Sequence, residues 1–78
     1  MLFAFARAGQ QCIWMKDMRF SIDIIWLDKA KRINMIKSNV EPATYPESFC
    51  SADTKYVIEL NQGTAARLGF SPGLKLAF

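Results

Sequence analysis

Residues 20–28 read FSIDIIWLD. Phe20, Ile22, Ile24 and Trp26 occupy alternate positions and make one wholly apolar face. Ser21, Asp23, Ile25 and Leu27 make the other, polar at its start and apolar at its end. Alternation of this kind is the signature of a β-strand, whose side chains point to opposite faces in turn. The stretch therefore predicts a strand packed on one face, with one end of the other face open to water or to a polar partner. Asp23 is its sharpest position. Aspartate is depleted in strands, and a buried carboxylate needs a cation or several hydrogen-bond donors.

The flanking sequence extends this pattern. LFAFA (2–6) alternates as a strand, RAGQQ (7–11) reads as a turn with Gly9 free to take positive φ, and CIWM (12–15) reads as a second short strand. Lys16 to Arg19 form a polar link. DKAKR (28–32) is a hairpin loop without the glycine that tight turns favour, and INMIK (33–37) returns antiparallel. Residues 38–54 show no periodicity, and Pro42 and Pro46 argue for a loop. Tyr45, Phe49 and Cys50 either pin that loop to the body or face a ligand. KYVIEL (55–60) is a strand with Tyr56, Ile58 and Leu60 on one face. NQGTAARLGF (61–70) predicts a helix of about two turns, capped near Asn61 or Thr64 and ended by Gly69. SPGL (71–74) matches a type II turn, and LKLAF (74–78) closes as a strand.

These elements predict a single domain over residues 1–78. It is mainly β, α+β only by virtue of one short helix, and built as a small antiparallel barrel or sandwich. The chain is 51% hydrophobic, which favours a folded globule over disorder. Its apolar runs fall far short of the ~20 residues a membrane-spanning helix needs. The start lacks the basic segment of a secretion signal. The default expectation is therefore a cytoplasmic protein, although a longer N-terminus would have room for a signal.

Composition removes several chemistries. The chain has no histidine, so His-based triads, imidazole proton shuttles and His-containing metal sites are excluded. Cys12 and Cys50 form neither a CxxC pair nor a cluster, which argues against zinc. The reading adopted is two free thiols, with a disulfide as the alternative in an oxidising compartment. No serine has a G-x-S-x-G context, and neither G-x-G-x-x-G nor a P-loop is present. No cofactor and no metal are expected. Net charge is +3, concentrated in the first half, where Lys29, Lys31, Arg32 and Lys37 follow one another without an acid. This patch is weaker than the basic stripe of most nucleic-acid-binding proteins. Nucleic acid is therefore not the expected partner, and weak binding by the 29–37 hairpin is kept as an alternative.

Asp23 and Glu59 both sit mid-strand among apolar residues. On facing strands they would make an acid–base pair for a polar or saccharide substrate; as single groups they would bond to backbone or to a cation. Trp14 and Trp26 are read as core, and the methionines as core filler.

MLFAF, WMKDM, SIDIIWLD, YVIELNQGTAARLGF and SPGLKL occur in one order with compatible gaps across nearly the whole chain. Together they resemble the uncharacterised bacterial and archaeal family called domain of unknown function 192. The resemblance implies a small β domain of barrel or sandwich type and brings no catalytic residues. Its motif positions here are Trp14, Met15, Lys16, Asp23, Glu59 and Gly63. Asp17 stands where the family usually has Asn, Met18 where Thr is common, and Leu74 and Lys75 follow Gly73 where Asp is frequent. Family members usually carry a further N-terminal strand. Its lack would leave an open sheet edge, and such edges recruit another chain. The function expected is a non-catalytic binding or assembly module, self-associating through that edge. Its ligand surface is expected among Lys16, Asp17, Asp23, Glu59 and Tyr45, and an enzyme using Asp23 and Glu59 is the rival.

Overall fold

The computed structural model describes residues 1–78. Four strands form one antiparallel sheet: β1 (Leu2–Trp14), β2 (Ile22–Leu27), β3 (Ile33–Val40) and β4 (Ser48–Asn61). Their spatial order is β1-β4-β2-β3. A 3₁₀ turn spans Pro42–Thr44, and a single helical turn, α1, spans Thr64–Arg67. The protein is thus mainly β and antiparallel as expected, and the sheet curls without closing into a barrel.

β2 is buried along its whole length. Ile22, Ile24 and Trp26 pack with Met15, Val40 and Val57 on one face. Ile25 and Leu27 pack with Ile33 and Ala65 on the other. Of the two environments expected for the polar end of the second face, water is excluded and polar partners are present at Asp23, because both faces are covered, one by curled strands and the other by α1 and the C-terminal segment. Burying an aliphatic or aromatic side chain stabilises by about 1.5–3 kcal/mol each, so β2 is the energetic centre of the protein. Phe20 falls outside the strand and is 58% exposed.

The covering of the first face comes from an unexpected continuity. The two strands expected in residues 2–15 are one strand, and RAGQQ is not a turn. The register of β1 against β4 slips between Ala4 and Gly9 and again between Gly9 and Gln11. Such irregularities bend a strand and increase its twist. The far half of the β1–β4 ribbon therefore folds back over the sheet. There the buried Trp26 donates its indole N–H to the Gln11 carbonyl at 3.0 Å. Asn34 on β3 donates to the Ala52 and Asp53 carbonyls at 3.2 Å each. Residues 48–54, expected as loop, are the first half of β4. Their polar sequence fits a two-stranded ribbon with one face in water.

Cys12 and Cys50 lie directly opposite each other in this ribbon and are joined by a disulfide, so neither thiol is free. The 28–32 hairpin manages without glycine because Asp28 organises it. One carboxylate oxygen accepts from the Ala30 and Arg32 N–H groups at 2.8 and 3.0 Å, and Lys31 takes the left-handed conformation. The Pro72–Gly73 turn forms as read, closed by Leu74 N–H to the Ser71 carbonyl at 3.1 Å. Residues 74–78 do not form a full strand; they contribute one antiparallel bridge, Arg32 to Lys75.

Candidate functional site

Asp23 faces the side of the sheet that carries α1. β4 ends at Asn61, and Gly63, at φ 89°, turns the chain back over β2. That positive φ is open to glycine at little cost. The turn brings the Ala65 N–H to Asp23 Oδ2 at 3.0 Å, while the Asn39 N–H of β3 reaches Oδ1 at 2.9 Å. α1 has no capping side chain of its own, so Asp23 supplies the cap from a neighbouring strand. Helix starts leave unpaired N–H groups that such an oxygen satisfies. Asp23 is 1% exposed. Burial pushes its pKa up, but the N–H groups of Asn39, Ala65 and Gly63 outweigh that and hold it below the ordinary value. Its partner is thus the backbone of β3 and of the α1 start.

Glu59 lies on the other side. In the β2–β4 register Asp23 pairs with Leu60, and Glu59 pairs with Ile24. Directly paired residues share a face and successive residues alternate. Asp23 and Glu59 therefore point to opposite faces, and the acid–base pair required by the enzyme reading does not form. Glu59 borders a groove of 320 Å³ whose apolar wall is Met1, Met18, Phe20 and Ile22. Burial against this wall raises its pKa, and the nearby N-terminal ammonium offsets the effect only in part. A raised carboxyl binds its proton more tightly folded than unfolded. Stability attributable to Glu59 therefore falls as pH rises from the ordinary carboxylate value through the raised one. Glu59→Gln is expected to raise the melting temperature slightly at pH 7 and to leave it unchanged at pH 4. Thermal unfolding at the two pH values measures this.

Lys16, Asp17 and Tyr45 occupy a third place. Met15 is buried and anchors a turn closed by Met18 N–H to the Met15 carbonyl at 3.1 Å, which leaves Lys16 and Asp17 in solvent. The 3₁₀ turn at Pro42–Thr44 then delivers Tyr45 to the ring of Trp14, centroid to centroid 5.2 Å. Lys16 Nζ stands 5.8 Å from the Trp14 ring centroid, within cation–π range. Trp14, read as core, is 48% exposed, and Tyr45 is 42% exposed. The reason lies in the ribbon. Ile13 turns in toward the core and Trp14, its neighbour, turns out. The residues expected at one site thus divide among three: Lys16, Asp17 and Tyr45 together, Asp23 under α1, and Glu59 in the groove. Trp14, which links Lys16 and Tyr45, was the member missed. Its alternation was legible in CIWM, but which of the two faces meets water was not.

The comparisons agree with the fold. The family model DUF192, described as uncharacterized ACR, matches residues 1–78. No curated protein matches the chain. A solved structure of a candidate transcription regulator from Sinorhizobium meliloti is 35% identical, with a TM-score of 0.87 over 94% of this chain and 57% of that one. A protein of unknown function from Novosphingobium aromaticivorans is 34% identical, with a TM-score of 0.89 over 100% of this chain and 56% of that one. The chain thus spans little more than half the length of either solved relative.

Proposed function

The chain belongs to the DUF192 family, and we propose that it is a non-catalytic assembly module that pairs with a second copy through the open edge of β1. The carrying observation is the self-complementary exposed face of that strand. β1 is an outermost strand of the sheet. Its exposed positions run Leu2, Ala4, Ala6, Arg7, Ala8, Gln10, Cys12 and Trp14, with large apolar side chains at the two ends and small or polar ones between. An antiparallel pairing about a two-fold axis near Ala8 sets Trp14 of one copy against the partner's Leu2. A two-fold contact of this kind uses one patch twice, and strand addition at an edge draws its affinity from the backbone. β1 has no proline and one charge, Arg7. Its protection is confined to the middle, where the register slips around Gly9 and Lys55 Nζ donates to the Phe5 and Ala6 carbonyls. Lys16, Asp17 and Tyr45 would flank the ends of this contact as its polar rim.

The test is sedimentation equilibrium of the wild type, Trp14→Ala and Ala6→Pro. Ala6 is exposed and lies where the pairing with β4 is interrupted, so proline there spares the internal ladder. The wild type is expected to dimerise, Trp14→Ala to weaken the dimer about tenfold or more, and Ala6→Pro to be monomeric with an unchanged near-UV spectrum. A wild type that stays monomeric up to about 1 mM rules the proposal out, since that affinity is on the order of 4 kcal/mol or less.

A further inference from the structure

The geometry points to a second, separate binding site, a groove for the phosphates of a single-stranded nucleic acid at the β2–β3 turn. The groove has a volume of 630 Å³, and Lys29, Lys31, Lys75, Leu76 and Phe78 are among the residues that line it. Arg32 stands directly across an antiparallel bridge from Lys75. Like charges placed opposite each other destabilise a strand pair, and an anion between them relieves the repulsion. Asp28 is the one acidic side chain beside these four cations, and its Oδ1 is already taken by the Ala30 and Arg32 N–H groups. Lys31 Nζ also donates to a Phe78 oxygen, and the Arg32 guanidinium, beside the groove, donates to the Gly73 carbonyl at 3.3 Å. Lys29 and Lys75 line the groove without such a partner. Counted over side chains alone, the excess of three positive charges here equals the net side-chain charge of the whole chain.

The residues come from two distant parts of the sequence. The C-terminal segment pairs beside residues 31–33, through Ile33 N–H to the Leu74 carbonyl and Leu76 N–H to the Lys31 carbonyl, both 2.9 Å. This adds Lys75 and Phe78 to the turn and leaves out Lys37, which stands over Phe49 instead. The Phe78 ring is held edge-on to Tyr56 at 5.1 Å and under Lys31 Nζ at 4.5 Å, yet it is 46% exposed. A cationic groove beside an exposed aromatic ring is what a single strand uses, phosphates on the cations and a base on the ring. Inorganic phosphate or a lipid headgroup has no use for the ring, which is why a nucleic acid is favoured here.

The experiment is fluorescence anisotropy of a labelled oligothymidylate with the full chain over a salt series. The logarithm of affinity is expected to fall with the logarithm of salt with a slope of about −2 to −3, as three to four released counterions require on single strands. Lys75→Ala is expected to make the slope shallower by about 0.7 and to weaken binding about eightfold at about 50 mM salt. Phe78→Ala is expected to weaken binding roughly tenfold with the slope unchanged. Lys37→Ala is expected to change neither. Equal losses in Lys37→Ala and Lys75→Ala would show diffuse charge attraction and overturn the site. So would an oligothymidylate that does not bind, or retention on phosphatidylserine vesicles without oligonucleotide binding.

Discussion

Replacing Asp23 with alanine is expected to destabilise the protein by about 3–5 kcal/mol, a large share of the roughly 4–12 kcal/mol available to a chain of this size. The carboxylate satisfies the N–H groups of Asn39 and Ala65 in the dry interior, and each buried donor left unpaired costs about 1–3 kcal/mol. A cavity in the β2 layer adds to this. Asp23→Asn keeps the volume but turns an amide N–H₂ toward backbone donors or leaves one of them unmet, so an intermediate loss is expected. Urea unfolding of the three proteins measures the series. Wild-type stability from the same group has a defined pH dependence. Its folded pKa is depressed, so the contribution is complete above the unfolded value near pH 4 and is lost as pH falls through the folded value. The deficit of Asp23→Asn relative to wild type should therefore shrink as pH falls below the unfolded value and through the depressed folded one. A deficit constant from pH 7 to pH 2 would show that the charge is not what matters.

Loss of the Cys12–Cys50 bond has the next largest expected effect. The bond closes a loop with a sequence separation of 38 residues. In the chain-entropy account a loop of this length stabilises by about 4 kcal/mol, and measured values run about 2–4 kcal/mol. For a protein of this size each kcal/mol shifts the melting temperature by roughly 4–8 °C. Reduction, or the double Cys12→Ser and Cys50→Ser variant, should therefore lower it by about 10–30 °C. The loss should be concentrated in the ribbon that folds over Trp26, since the bond ties its two strands together. Hydrogen exchange of the oxidised and reduced protein checks this: residues 9–14 and 48–54 should lose protection before β2 does. Trp14 and Cys12 lie on the same exposed face of β1, so reduction should also loosen the proposed dimer.

Alternation in FSIDIIWLD and KYVIEL placed β2 and the inner half of β4 because period-two patterns survive in any sheet that buries a face. The Pro72–Gly73 turn was legible because its φ requirements are met by residue type alone. β1 was not legible as one strand, because a glycine in a strand reads equally as a turn or as a bulge, and only the partner strand decides which. Residues 48–54 were misread as loop for a related reason: a ribbon with a single covered face needs few apolar residues.

By itself the sequence determined the antiparallel β class, the core position of Trp26, the absence of imidazole chemistry and the isolation of Asp23 as a carboxylate in need of donors. Tertiary structure alone decided who meets whom. It paired Cys12 with Cys50, set Asp23 under the start of α1, turned Glu59 to the opposite face, and brought Lys75 and Phe78 to Lys29 and Lys31. The physical reason is that periodicity records which side of an element is buried, a local property. Partners across strands are set by register, bulges and the curl of the sheet, which no spacing along one chain encodes.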